Sequence, residues 1–110
     1  MKYSRLPKAP KALSAEARRR WRELVAEYDI RDSAGLQILQ TAMEAFDRMR
    51  AAQAQIAKDG QMHADRFGQV KAHPLLPIER DSRAAMLMAL KALNFDIEPL
   101  RGKVGRPGGS

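Results

Sequence analysis

The chain has 110 residues, which allows one domain with a core of moderate size. Apolar residues make up 45% and charged residues 30%, and the absence of cysteine excludes disulfides and thiolate metal sites. No apolar run approaches the roughly 18 residues needed to cross a bilayer, and the N-terminus lacks the apolar core of a signal peptide, so we expect a cytosolic protein.

The positive charge is concentrated near the N-terminus. The net charge is +7, and eight of the 20 basic residues fall within residues 1–22, where Glu16 is the one acidic residue. Basic segments of this kind commonly bind nucleic acid, and a solubilising tail is the alternative.

The first 12 residues predict a flexible basic arm, because Pro7 and Pro10 block helix propagation and little of the segment could be buried. A first helix follows, with Ser14 as its N-cap and Trp21 as the main apolar anchor of its buried face.

The charged residues of this first helix divide into paired and unpaired groups. Arg18 and Arg22 lie beside the apolar face without an acidic partner in the helix, so they are our first choice for phosphate contacts. Two solvated arginines are the alternative. On the opposite face, i,i+4 spacing predicts two ion pairs, Glu16–Arg20 and Arg19–Glu23.

Residues 33–58 predict one long helix, capped by Asp32 or Ser33 and ended by Gly60. At 1.5 Å per residue it is about 39 Å long, whereas a compact chain of this size is about 30 Å across. Its apolar residues fill roughly half of the circumference, so it needs partners on two sides. We expect other copies of the chain to supply some of them; double packing by its own chain is the alternative.

Residues 61–77 predict an irregular loop or a small hairpin, and residues 78–95 predict a last helix. That helix is apolar nearly all round from Met86 onward, so it should be buried on most sides, with Asn94 in a left-handed conformation at its end. We therefore predict an all-α fold with three main helices, a helical domain over residues 13–95 and a flexible tail over residues 96–110.

Residues suited to catalysis or cofactor binding are scarce. No phosphate-binding glycine loop is present, and the spacing of His63, Asp65 and His73 matches no common metal site. We expect no cofactor, no metal and no enzymatic activity.

The succession of these features resembles the short phage terminase small subunits over roughly residues 5–101. The resemblance is carried by Leu13-Ser14 with Ala17 and Trp21, the long helix from Leu36 to Ile56 with Gly60 after it, Gly68-x-x-Lys71-x-His73-Pro74, and an apolar helix ending at Leu93-Asn94-Phe95 before Pro99 and Arg101. The chain departs from the family at Asn94, where glycine is frequent, and in its very short C-terminal tail.

The resemblance implies a non-catalytic viral DNA-packaging protein that acts in the host cytoplasm. Family members form rings, recognise viral DNA and stimulate the large subunit, which uses ATP to translocate DNA and also cuts it. The basic residues expected to face DNA are Lys8, Lys11, Arg18, Arg19, Arg20 and Arg22, with Lys71 and Arg101 as further candidates. The apolar residues expected at the interface between subunits are Leu36, Leu39, Met43, Phe46, Met49, Met86, Leu87, Leu90 and Leu93.

Two other functions fit the sequence. A small dimeric helix-turn-helix regulator would explain the basic N-terminus and two adjacent helices, but not the wide apolar surface of the later helices. An adaptor would use the same basic arm on an acidic protein partner.

Overall fold

The computed structural model describes residues 5–94, apart from the side chain of His63. Its elements are three helices and two short strands, in the order α1 (Ala15–Tyr28), α2 (Ser33–Asp59), β1 (Met62–Ala64), β2 (Val70–Ala72) and α3 (Leu76–Ala92). The predicted all-α fold with three main helices is confirmed, and of the two alternatives for residues 61–77 the structure has the small hairpin.

Helix α1 begins where the sequence supplies a cap. The Ser14 hydroxyl accepts a hydrogen bond from the Ala17 amide at 3.0 Å and donates one to Asp47 of α2 at 2.6 Å. The Ser14 amide donates to the same carboxylate at 2.8 Å. One residue therefore caps α1 and fixes its start against the middle of α2.

Replacing Ser14 with alanine should lower the free energy of unfolding by about 1–2 kcal/mol, because it removes both the cap and the hydroxyl bond to Asp47. A urea unfolding curve at fixed protein concentration measures the loss. Ser14→Thr is the matched control, since threonine retains the hydroxyl. Equal midpoints for the alanine variant and the wild type would contradict the assigned cap.

The connection between α1 and α2 turns sharply. Asp29 has a left-handed backbone (φ 52°), and Ile30 folds back into the core. Asp32 then caps α2 by accepting from the Gly35 amide at 2.8 Å. A Cβ on Gly35 would lie 2.9 Å from the Asp32 carboxylate, so glycine allows this close approach.

Helices α1 and α2 form an antiparallel pair. The turn at residues 29–32 joins one end of α1 to α2, and the Ser14–Asp47 contact joins the other. The two helices of a helix-turn-helix cross at a large angle, so that their far ends separate. This arrangement therefore disfavours the regulator hypothesis.

The core lies mainly between α1 and the first half of α2. Trp21 and Val25 of α1 are buried, as predicted for Trp21, and they form one cluster with Leu39 and Met43 of α2. In its second half α2 also buries Ala52 and Ile56, and there Gln53 contacts Glu79 of α3. The long helix is thus packed by its own chain on more than one side.

Helix α3 returns antiparallel along α2. Near its start, Glu79 accepts from Gln53 of α2 at 2.9 Å. Near its end, Leu93 and Ile38 of α2 line the same surface cavity. Pro77 lies in the first turn of α3, where the lack of a backbone N–H costs nothing, because no carbonyl of the helix would accept from it. The helix therefore begins two residues earlier than predicted.

The end of α3 agrees only in part with the prediction. Asn94 has the expected left-handed backbone (φ 56°), whereas the helix already ends at Ala92. The expectation that α3 is buried on most sides is wrong for the single chain, in which Ser82 is the one buried residue of α3. Its inner side packs on the core through Met86, Ala89, Leu90 and Leu93.

The hairpin connects α2 to α3 through an antiparallel pair in which His63 faces Lys71. Its base is fastened by His73, a buried side chain. The His73 Nε2 lies 2.8 Å from an Asp59 carboxylate oxygen, and Nδ1 accepts from the Leu75 amide at 3.0 Å. Hydrogen bonds from Gln55 and His73 lower the pKa of Asp59.

Candidate nucleic-acid interface

Residues 5–12, the described part of the predicted arm, lie across α1. Leu6 and Ala9 pack against the core, and the Trp21 indole Nε1 donates to the Pro7 carbonyl at 3.1 Å. The apolar side chains of this segment are thus partly buried, although none of residues 5–12 is fully buried. Residues 1–4 lie outside the described residues.

Two arginines also hold the backbone of this segment. Arg18 Nη1 donates to the carbonyls of Leu13 at 2.6 Å and Lys11 at 3.3 Å. Arg31 donates to the carbonyl of Arg5 at 3.3 Å, beside its ion pair with Asp29 at 2.7 Å. Arg18, expected to contact phosphate, is thus already engaged within its own chain.

Basic side chains from the arm and from α1 are brought together by this packing. Lys8, Arg18 and Arg22 line one depression of about 320 Å³, whose apolar lining includes Leu6 and Val25. Among residues 5–94, neither Lys8 nor Arg22 has a carboxylate partner. Lys11 is exposed in the same segment as Lys8, and Arg19 is the exposed neighbour of Arg18 on α1. We call these five basic residues together the basic face.

The opposite side of α1 carries Glu16 and Glu23, both of which form ion pairs. Arg20 lies there and pairs with Glu23 at 3.7 Å rather than with Glu16. Glu16 instead pairs with Arg50 of α2 at 3.2 Å, so neither predicted i,i+4 pair forms. Arg20 is therefore directed away from the other predicted DNA-binding residues of α1.

The remaining two predicted DNA-binding residues are not part of the basic face. Lys71 lies on the hairpin, where its ammonium group is 3.4 Å from the Asp65 carboxylate. Arg101 lies outside the described residues.

The predicted interface residues fall into two groups. Four residues of α2 are buried within the single chain: Leu39, Met43, Phe46 and Met49. Leu36, Met86, Leu90 and Leu93 are partly buried against the same core. Leu87 differs from all of these because it remains 55% exposed.

One side of α3 is an exposed apolar surface. Met88, which the sequence prediction omitted, is 71% exposed, and Ala84, Leu87 and Ala92 are exposed beside it. We call these four residues the outer face of α3. Lys91 is the one charged residue between positions 84 and 92, so this surface is poorly suited to water.

The hairpin carries a second apolar surface at the far end of α2. Met62 and Val70 share one face of the hairpin and are 58% and 65% exposed, and Phe67 at the turn is 74% exposed. An isolated two-stranded hairpin is marginally stable, so its attachment through His73 matters for its position.

Residues 5–94 contain neither a candidate metal centre nor a candidate membrane span. No group of three His, Cys, Asp or Glu side chains there could hold a metal ion. None of the described helices is long and apolar enough to span a membrane.

The described residues form an antiparallel helical protein with basic side chains gathered on one side and an exposed apolar surface on α3. Comparison with known families is more specific: the family model described as phage terminase, small subunit, matches residues 17–105. The chain belongs to this family, whose role is DNA packaging, with DNA and the terminase large subunit as partners. No curated protein and no solved structure matches the chain significantly.

Proposed function

We propose that this chain is a ring-forming, non-catalytic packaging subunit that binds phage duplex DNA and stimulates the large subunit. In this proposal, ATP hydrolysis and DNA cleavage belong to the large subunit, in the host cytoplasm. Membership of the terminase small-subunit family is the observation that carries the proposal.

The basic face is the proposed contact with DNA. Lys8 and Arg22 line the same depression and lack acidic partners among the described residues, so both are free to contact phosphates. Such contacts release counterions from DNA, and affinity should therefore fall steeply as salt increases. In a ring the face is repeated in every subunit, which multiplies individually weak contacts.

The outer face of α3 is the proposed contact between subunits. Its leucine and methionine are exposed in one chain, and burying them against a neighbour would be favourable in the same way as core burial. In a closed ring each subunit uses two different surfaces, one for each neighbour. The outer face of α3 supplies one of these two surfaces. The residues of α2 that are already buried within the chain make little direct contact with a neighbouring subunit.

Light scattering on a sizing column at two salt concentrations tests assembly first. We expect one species of many subunits at both salt concentrations, because an apolar interface depends little on ionic screening. A monomer would contradict the proposal, and a uniform dimer would favour the regulator hypothesis.

Changing Arg22 to alanine should weaken binding to a 30-base-pair duplex by at least about fivefold, because a charge-assisted phosphate contact is lost. Fluorescence anisotropy over a series of salt concentrations measures affinity and its salt slope, which should become shallower. Lys58→Ala is the matched control, since it removes an exposed charge at the far end of α2. Equal affinities for the Arg22 variant and the wild type at moderate salt would remove Arg22 from the DNA interface.

A further inference from the structure

Three side chains bind backbone carbonyl groups of the arm or of Leu13, the residue that follows it. Trp21 binds the Pro7 carbonyl, Arg31 binds the Arg5 carbonyl, and Arg18 binds those of Lys11 and Leu13. The segment of residues 5–13 is thus held against the helices at several points, although it forms no helix or strand.

Arg18 differs from the other basic residues of α1 in what it contacts. One guanidinium nitrogen donates to two carbonyl oxygens, and no ion pair links Arg18 to a carboxylate among the described residues. Arg19, its neighbour, is exposed and makes no comparable bond within residues 5–94. The two adjacent arginines therefore have different structural roles.

We propose that Arg18 is a positioning residue: it holds the arm against α1, so that Lys8 and Arg22 together form a preformed site for a backbone phosphate of duplex DNA. The proposal rests on the DNA-binding function proposed above and assigns separate roles within it. Lys8 and Arg22 contact the phosphate, whereas Arg18 acts through the arm.

The entropy of the arm explains why such a residue matters. If the arm were released, its residues would have to be ordered again whenever DNA bound. Each residue that must be ordered on binding lowers the affinity for DNA by roughly fivefold to thirtyfold, because its conformational entropy is lost. A preformed arm avoids that loss, which is the usual advantage of preorganisation.

Lysine should not replace arginine in this role. A lysine at position 18 would keep the positive charge, but its nitrogen lies one bond nearer the backbone than the Nη1 that binds both carbonyls, and its ammonium group is more strongly hydrated than a guanidinium group. If Arg18 were only a phosphate ligand, Arg18→Lys would retain much of its effect. A positioning role predicts that Arg18→Lys behaves largely like Arg18→Ala.

The first experiment needs no DNA. The full-length protein is treated briefly with trypsin under native conditions, and mass spectrometry measures cleavage after Lys11. We expect cleavage to be at least about tenfold faster in Arg18→Ala than in the wild type, because lost charged hydrogen bonds make the open arm more populated. Arg19→Ala is the matched control and should be cleaved at the wild-type rate. Equal rates for Arg18→Ala and the wild type would overturn the proposal.

The second experiment measures coupling on a 30-base-pair duplex by fluorescence anisotropy. In the wild type, Lys8→Ala should lower affinity at least about fivefold. In an Arg18→Ala background the same change should have an effect below about twofold, because Lys8 is already displaced. Equal effects in both backgrounds would make Arg18 an independent ligand and would overturn the positioning role.

The two experiments separate two kinds of failure. If the wild-type protein binds no duplex even at low salt, the proposed DNA-binding function fails, and with it the phosphate site. The trypsin experiment would still show whether Arg18 holds the arm.

Discussion

Replacing Leu87 with aspartate is expected to break the assembly into smaller species while each chain remains folded. Leu87 is 55% exposed on the outer face of α3, so a charge there is compatible with the single chain. In an apolar interface between subunits the same carboxylate would be buried without a partner. Burying such a charge costs about 3–5 kcal/mol at each interface. Light scattering measures the mass, and circular dichroism measures the helix content.

The matched control for this variant is Ala26→Asp, which places the same charge on an exposed position of α1. It should retain the mass of the wild-type assembly. An unchanged mass for Leu87→Asp would show that the outer face of α3 does not join subunits.

Replacing Leu39 with alanine should instead destabilise the chain itself. Leu39 is completely buried between α1 and α2, and a leucine-to-alanine change in a core typically costs about 2–5 kcal/mol. Because assembly contributes to stability, urea unfolding should be measured at one fixed protein concentration. Leu39→Asp would bury a charge and should prevent folding, rather than release folded subunits.

Leu87→Ala is the control for the cavity effect, because it shortens a leucine that the single chain leaves half exposed. Its urea midpoint should lie close to that of the wild type at concentrations where the protein is dissociated. A small loss for Leu39→Ala under the same conditions would contradict the packing of the α1–α2 core.

Leu39 and Leu87 show what helical periodicity can and cannot predict. The sequence identifies both as apolar positions on helices that need partners, and it assigns both to the subunit interface. Periodicity gives the direction of an apolar face, but not which element covers it. That depends on the antiparallel return of α3 and on the position of α1, which are properties of the tertiary structure.

The helix boundaries were largely predictable because local chemistry determines them. Ser14 and Asp32 supply side-chain caps for α1 and α2, and Gly60 supplies a positive φ of 90° after α2. Pro77 was misleading, because proline is equally compatible with a loop and with the first turn of a helix. The sequence therefore predicts a start for α3 that is two residues too late.

The packing of the arm was less predictable. Pro7 and Pro10 exclude a helix, but they do not prevent apolar side chains from covering a neighbouring helix. One signal was available: a buried tryptophan needs an acceptor for its indole N–H, and Trp21 finds one in the Pro7 carbonyl. The role of Arg18 could not be inferred from the helix alone, because its partners are backbone carbonyls outside the helix.

The separation of the arm from the hairpin along α2 gives the subunit two chemically different ends. The arm lies beside Gln37, and the hairpin follows Asp59, about 33 Å further along the helix axis. In the proposed ring all subunits would have the same orientation, so that with α2 along the ring axis the cationic groups would recur on one rim and exposed Met62, Phe67 and Val70 on the other. A partner approaching along the axis could then distinguish front from back.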